Sequence, residues 1–349
     1  MTSSRRILLT GVTGSFGRVV ARALIEHGCE LVCLARGCDQ ADATRRVVAA
    51  VGGCSSREAI VVVPGDVMLP GLGLRPVLAR ELQATVDGIV HSAATTAFGM
   101  KLELARRVNV EGTRNVLDFA RRARRLRKLS YVSTAYVAGK RTGTIRETDF
   151  AHGAGFVTSY ERSKYEAETL VRQSFPDLPV AVFRPSVIVD PGVGAFDRPN
   201  GLRLGLSLLR NGVLPLLPAT PSTPIDLIHA CDAADALARL SLDDRFTATF
   251  HLTAGASAPS LADLMRAAGT PPIRFVSVER FDRELHRLRR ANAGAARSYK
   301  RIDTFIRIVA YPKVFQNRVA EAALGRPVVR RNPLDAVRAI FPELSRAVA

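Results

Sequence analysis

Cysteine is scarce and poorly spaced for chemistry: there are five, at Cys29, Cys33, Cys38, Cys54 and Cys231. No pair has the two-residue spacing of a zinc knuckle or a redox dithiol, so a thiolate metal centre is excluded and the set reads as reduced, mostly packed thiols. Cys33, inside an apolar run, is expected to serve as a small core hydrophobe. No stretch of about eighteen residues is apolar without a charge, and the start Met1-Thr2-Ser3-Ser4-Arg5-Arg6 leads into a strand rather than a hydrophobic signal region. A soluble, cytoplasmic protein with no integral membrane segment is therefore expected. Zinc-finger spacing, an aromatic RNA-binding pattern, a basic low-complexity tail and internal repeats are absent too, which argues against nucleic acid as a partner. No metal site is expected.

Acidic residues are also in short supply, 32 against 50 Lys and Arg, for a formal charge of +18. Such a surface attracts polyanions: phosphorylated cofactors, nucleic acid or an acidic carrier protein. The excess is scattered along the chain. Its one dense run, Arg121 to Lys128, closes a helical stretch and reads as a solvated, dipole-complementing helix end. With 349 residues, 47% of them apolar, the chain can bury a large nucleotide-binding domain and a smaller lobe.

Over the first 185 residues β-rich runs alternate with helical ones. Arg6 to Thr10, Glu30 to Ala35, Ile60 to Val63, Gly88 to His91, Leu129 to Ser133 and Val180 to Arg184 read as strands. Gly17 to His27, Leu102 to Arg122 and Thr158 to Gln173 have helical length and periodicity. This alternation predicts an α/β fold, a Rossmann-type doubly wound parallel sheet, with a smaller, mostly helical C-terminal substrate lobe. The texture turns Gly-, Pro- and Leu-rich from Pro191 to Pro224, while Ile225 to Leu240 returns to a strand and a helix. The expected domains are therefore 1–190 plus 225–250 for the cofactor and 191–224 plus 251–349 for the substrate. The apolar run Leu202 to Leu217 is expected as a pocket wall rather than a membrane-surface helix, since Pro215 and Pro218 interrupt it.

The first strand runs into Thr10-Gly11-Val12-Thr13-Gly14-Ser15-Phe16-Gly17, with a helix at once behind it. Gly11, Gly14 and Gly17 permit a tight turn and close approach to a pyrophosphate, which the helix N-terminus then meets. Thr13, Ser15 and Phe16 complete the loop. At the end of the second strand an acid would bind ribose hydroxyls, whereas an arginine accommodates a 2′-phosphate. Arg36 stands there, with Arg18 close to the loop and Asp39 too far along, so the cofactor expected is NADPH. Asp66 and Val67 follow the third strand, where a carboxylate can accept a hydrogen bond from the adenine amino group. Ser92, Ala93 and Ala94 follow the fourth, small enough for the backbone to pass near a cofactor. His91, closing a buried strand, is expected to be packed rather than catalytic.

Strand five leads into Ser133-Thr134, and further on Tyr160-Glu161-Arg162-Ser163-Lys164 opens a long helix. Residues four apart on a helix share a face. An ammonium beside the phenol favours phenolate and would lower its pKa, so Tyr160 could exchange a proton with a carbonyl oxygen. Thr134 or Ser133 could add a second hydrogen bond to that oxygen.

In this order these pieces resemble the extended short-chain dehydrogenase/reductase superfamily over about residues 5 to 255, with Asn109-Val110-Glu111-Gly112-Thr113 and Arg184-Pro185-Ser186 also in family order. The resemblance implies Thr134, Tyr160 and Lys164 as the catalytic trio, Lys164 also holding the nicotinamide ribose, and Pro185 and Ser186 lining the nicotinamide. Leu31 to Arg36, Gly65 to Leu74, Val86 to Ala94 and Ser133-Thr134-Ala135-Tyr136-Val137 are most similar to the thioester reductase and fatty acyl-CoA reductase branch, and Tyr311 to Phe315 resembles the latter. That branch implies reduction of an acyl thioester, on coenzyme A or an acyl carrier protein, to an aldehyde and then in some members to an alcohol, and a homodimer is common in the family. Ile225 to His229 before Asp232 resembles instead a strand of sugar-nucleotide epimerases. A ketone or aldehyde reductase, an epimerase or dehydratase, and a non-catalytic dinucleotide-binding protein are the alternatives.

Overall fold

The computed structural model describes residues 4–52, 59–97, 100–190, 201–212, 216–291 and 306–340. In chain order the strands are β1 (Arg6–Thr10), β2 (Glu30–Ala35), β3 (Ile60–Pro64), β4 (Gly88–His91), β5 (Lys128–Val132), β6 (Gly143–Ile145), β7 (Val180–Pro185), β8 (Val187–Val189), β9 (Leu216–Leu217), β10 (Leu227–His229), β11 (Thr249–Leu252), β12 (Arg274–Phe275) and β13 (Lys313–Phe315). Seven of them form one sheet in the order β11-β7-β5-β4-β1-β2-β3, and all its pairings are parallel. Strands such as Gly88-Ile-Val-His91 and Lys128-Leu-Ser-Tyr-Val132 are buried along their whole length, as parallel strands covered on both faces must be. The Rossmann-type expectation is met, and the strand order reverses between β1 and β4. Carboxyl ends of strands diverge at such a switch point and leave a crevice there.

Helices α1 (Gly17–Glu26), α2 (Gln40–Val51) and α3 (Pro76–Thr85) flank this half. The stretch expected as one helix, Leu102 to Arg122, is instead α4 (Leu102–Arg106), a π-helical turn (Arg107–Glu111) and α5 (Gly112–Ala120). Asn109, in the π turn, accepts from Thr95 N at 2.8 Å and donates to Ser163 Oγ at 2.9 Å. It thereby ties the strand-four loop to α6 (Ser159–Gln173). The basic run after α5 departs from a purely solvated helix end. Lys128 begins β5 and is buried, its ammonium donating to Leu240 O at 3.0 Å and to Asp243 O, and burial lowers its pKa to about 8.

A second apolar core gathers Leu206, Leu209, Leu216 and Leu217 with Leu261, Leu264, Phe281, Val337 and Ile340. Ile225 and Leu227 face this second core, while Ile228 packs into the main one, as alternation along a strand requires. Outside the main sheet lie three short parallel pairs, β8 with β10, β9 with β12 and β6 with β13. Cys29 and Cys33 are buried, whereas Cys38 and Cys231 are exposed, so packing accounts for two of the four thiols described; Cys54 lies outside the described residues. No described helix is long and apolar enough to cross a membrane.

Candidate active site

A cavity of about 980 Å³ opens at the carboxyl end of the sheet, lined by Gly11, Thr13, Gly14, Ser15, Phe16, Arg36, Asp66, Val67, Ser92, Ala93 and Ala94 at one end and by Ser133, Thr134, Tyr160, Lys164, Pro185 and Ser186 at the other. The glycine loop is sterically determined. Gly11 has φ +79°, and a Cβ there would lie 2.6 Å from Ala93 N; a Cβ at Gly17 would lie 2.0 Å from Gly11 O. No side chain caps the N-terminus of α1 and its first turn carries no acid, so the positive end of its dipole is unopposed where a phosphate would sit. These residues fit a dinucleotide.

Arg36 is exposed at the cavity edge, free to meet an anion. Arg18, expected beside the loop to help Arg36 with a 2′-phosphate, does not line the cavity: its guanidinium bonds Asp190 at 2.9 Å. Asp39 caps α2 by accepting from Asp42 N at 2.7 Å. One oxygen of Asp66 accepts from Met68 N at 2.9 Å, and its backbone N–H donates to Leu72 O at 2.9 Å. Leu72 is buried with φ +62°, a region a branched side chain enters only under strain. The strained turn thus fixes Asp66, a feature that residue type alone did not signal. His91 is buried between Thr10 Oγ1 at 2.8 Å and Thr113 Oγ1 at 3.1 Å. Burial lowers its pKa to about 3, so it is neutral and structural.

At the other end, β5 and α6 bring the three catalytic candidates together. Thr158 N-caps α6, accepting from Glu161 N at 2.9 Å while Glu161 accepts from Thr158 N at 3.1 Å. This capping box fixes the first turn, on which Tyr160 stands. The Tyr160 hydroxyl is hydrogen-bonded to Thr134. Lys164 is buried, its ammonium 2.8 Å from Val132 O and 4.3 Å from the centre of the Tyr131 ring. The expected lowering of the Tyr160 pKa is not seen: burial pushes it up to about 12, with only the Thr134 hydrogen bond acting the other way. Burial instead lowers Lys164 to about 7, against the pull of Glu168. For each group removal from water is the dominant cause.

Three features were missed in the sequence. Glu168, one turn beyond Lys164, accepts from Ser133 Oγ at 2.6 Å and pairs with the buried Arg184 at 2.6 Å. Tyr136 and Glu161 line the cavity beside Tyr160. Of the apolar run Leu202 to Leu217, Leu202 reaches the cavity and Leu206, Leu209, Leu216 and Leu217 fill the second core; residues 213–215 lie outside the described ones.

Residues 9–236 match the NAD-binding family described as "Male sterility protein". Among curated proteins, the chain is 28% identical over 253 residues to the fatty acyl-CoA reductase wat of Drosophila melanogaster, covering 60% of this chain and 48% of that one. It is 30% identical over 239 residues to the carboxylic acid reductase of Segniliparus rugosus, covering 60% of this chain and 20% of that one. The chain thus spans less than half the length of these two relatives. Among solved structures, the terminal R domain from the myxalamid PKS-NRPS biosynthetic pathway superposes with a TM-score of 0.82 and 26% identity, covering 100% of this chain and 92% of that domain.

Proposed function

The chain belongs to the male sterility NAD-binding family, and from that premise we propose that it is an NADPH-dependent reductase of acyl thioesters, releasing a thiol and an aldehyde. Relatives named as fatty acyl-CoA reductases, a carboxylic acid reductase and an R domain support the acyl substrate. The observation that carries the reading is the single cavity in which the glycine loop and the Thr134–Tyr160 hydroxyl pair converge. Its volume stands at the upper end of ligand pockets, about 300–1,000 Å³, which suits a dinucleotide with a substrate beside it. Arg36 at the cavity edge favours a 2′-phosphate. We assign 1–190 plus 225–250 to the cofactor and 191–224 plus 251–349 to the acyl group.

The nicotinamide would supply hydride. Thr134 and Tyr160 hold the substrate carbonyl oxygen between two hydroxyls, stabilising the negative charge that develops on it. Tyr160, kept protonated by burial, gives that oxygen its proton, and the hemithioacetal so formed breaks its carbon–sulfur bond to leave aldehyde and thiol. Lys164, one turn along α6 from Tyr160 and held by Val132 O, would bind the ribose side of the site. The same two hydroxyls serve a second reduction of the aldehyde to the alcohol. Coenzyme A or an acyl carrier protein delivers the acyl group. NADPH oxidation followed at 340 nm over a panel of acyl-CoAs and acyl-pantetheines, with product analysis, tests this. Thioester turnover with aldehyde or alcohol formed supports it; activity confined to free ketones and aldehydes replaces it with the carbonyl reductase reading.

A further inference from the structure

Buried apolar side chains of this chain gather in cores, but three apolar residues of the cavity wall stand outside them. Met100, Val108 and Ile308 line the cavity and are half-buried, yet none packs into an apolar core formed by the described residues. They reach the cavity from separate segments: the stretch after β4, the π turn and the C-terminal part of the chain. Leu202, from the second core, joins them. Apolar surface beside a cavity and outside any core is covered when an apolar ligand enters, and its removal from water favours that ligand. The dinucleotide is accounted for by the glycine loop and the residues after β2, β3 and β4, which leaves these four for the acyl group.

Met100 is held at both ends. A methionine side chain, with three rotatable bonds, ordinarily adapts to its surroundings. Here the Met100 N–H donates to Ala97 O at 3.0 Å and its carbonyl accepts from Ser159 Oγ at 2.6 Å. At the tip, Sδ accepts from Thr95 Oγ1 at 3.9 Å. Thr95 is in turn clamped by the buried Asn109, which accepts from its N–H at 2.8 Å and donates to its carbonyl at 3.2 Å. The thioether is thereby restrained. Ser159 immediately precedes Tyr160, so this side chain belongs to the stretch of wall next to the turn of α6 that carries the proton donor.

We propose that Met100 is a specificity-determining residue: its restrained side chain, with Val108 and Ile308, leaves room beside the thioester carbonyl for an unbranched apolar chain and turns away acyl groups branched at the carbon next to the carbonyl. The inference rests on the thioester reductase reading, which holds the carbonyl between Thr134 and Tyr160 and so sets the first carbons of the acyl chain against this wall. Crowding is the physical cause. A close-packed apolar wall gives way by small amounts only, and extra carbons forced against it cost binding. The change of Met100 rotamer that would relieve the crowding is opposed by the Thr95 contact.

Calorimetric Kd values in the presence of NADP⁺, which cannot reduce the substrate, test this with the N-acetylcysteamine thioesters of octanoate and of 2-ethylhexanoate. The two are isomers with equal numbers of carbons, so a difference in Kd reports shape and not the amount of apolar surface. They are measured on the wild type and on M100A. Expected is a wild-type preference for the octanoyl compound of about tenfold or more, within the range that an apolar pocket reaches over one or two carbons. M100A should lose that preference through tighter binding of the branched isomer, a gain that mere damage to the fold would not give. Equal Kd for the two isomers in the wild type overturns the proposal, and so does an unchanged ratio in M100A with native circular dichroism. Should M100A misfold, M100V makes the same cut on a smaller scale and is held to the same outcome. NADPH oxidation on the octanoyl thioester separates the two readings: preference without turnover removes the reductase and keeps the filter, while turnover without preference keeps the reductase and removes the filter.

Discussion

Burial keeps the Tyr160 hydroxyl protonated well beyond neutral pH, so in the proposed reaction it would act as a proton donor rather than as a resident phenolate. Y160F removes the proton and one of two hydrogen bonds to the oxyanion. Expected is a loss of kcat of about 10²–10⁴, with the Kd for NADPH, read by fluorescence quenching, changed little; near-normal turnover would exclude the role. Lys164 gives a prediction about pH. Its folded pKa is depressed to about 7, so the ammonium is present below that pH and is lost as pH rises through it. If the charge is needed at the site, kcat/KM falls above about pH 7, since this parameter reports the free enzyme. A profile flat to pH 9 would show that neutral Lys164 suffices. Both side chains were legible by order, a glycine loop, then the Ser133-Thr134 strand end, then a tyrosine and a lysine four apart on one helix, since the spacing alone is common. The direction of the Tyr160 shift was not, because burial depends on what β5 and the lobe fold over it.

At the scale of elements, strands β1, β2 and β4 were legible to the residue, because buried parallel strands are unbroken apolar runs between turn residues. The π turn in Leu102 to Arg122 was hidden, since one wider turn scarcely changes the apolar periodicity while freeing Asn109 to bridge Thr95 and Ser163. Pairs such as β6 with β13 were hidden too: three-residue strands carry no period, and the partner is far along the chain. The glycine loop yields an element-level prediction. In G17A the new methyl meets Gly11 O at 2.0 Å, which forces the loop or α1 to move. The Kd for NADPH should rise about tenfold or more while the circular dichroism stays native; an unchanged Kd would mean that the loop does not set the site. The Glu168–Arg184 pair joins α6 to β7 in full burial. R184M takes from the buried Glu168 carboxylate one of its two arginines, leaving Arg172 at 3.0 Å, and should cost about 1–3 kcal/mol in chemical unfolding, with part of it returned in E168Q/R184M. Equal destabilisation in single and double variants would show that the methionine packs badly, and that the charge is not at issue.

Across the whole molecule, the net charge of +18 bears on how the proposed substrate would arrive. The sequence showed that the charge was there but not which cations are paired, because ion pairs join residues far apart in the chain. Many of them are neutralised locally, as Arg5 by Asp244, Arg106 by Glu166 and Arg331 by Asp232. Pairing each of the 32 acids with one base still leaves eighteen cations, the net charge itself. A field of this kind raises the association rate of an acidic partner and is screened beyond about 8 Å at physiological ionic strength. A small neutral thioester feels none of it. With NADPH saturating, kcat/KM for an acyl group on an acidic carrier protein should therefore fall steeply between about 0.05 and 0.5 M NaCl, whereas kcat/KM for the N-acetylcysteamine thioester of the same acyl group should stay nearly level. Parallel curves for the two substrates would mean that the basic surface plays no part in delivery, and that the acyl group reaches the cavity by contacts at the site alone.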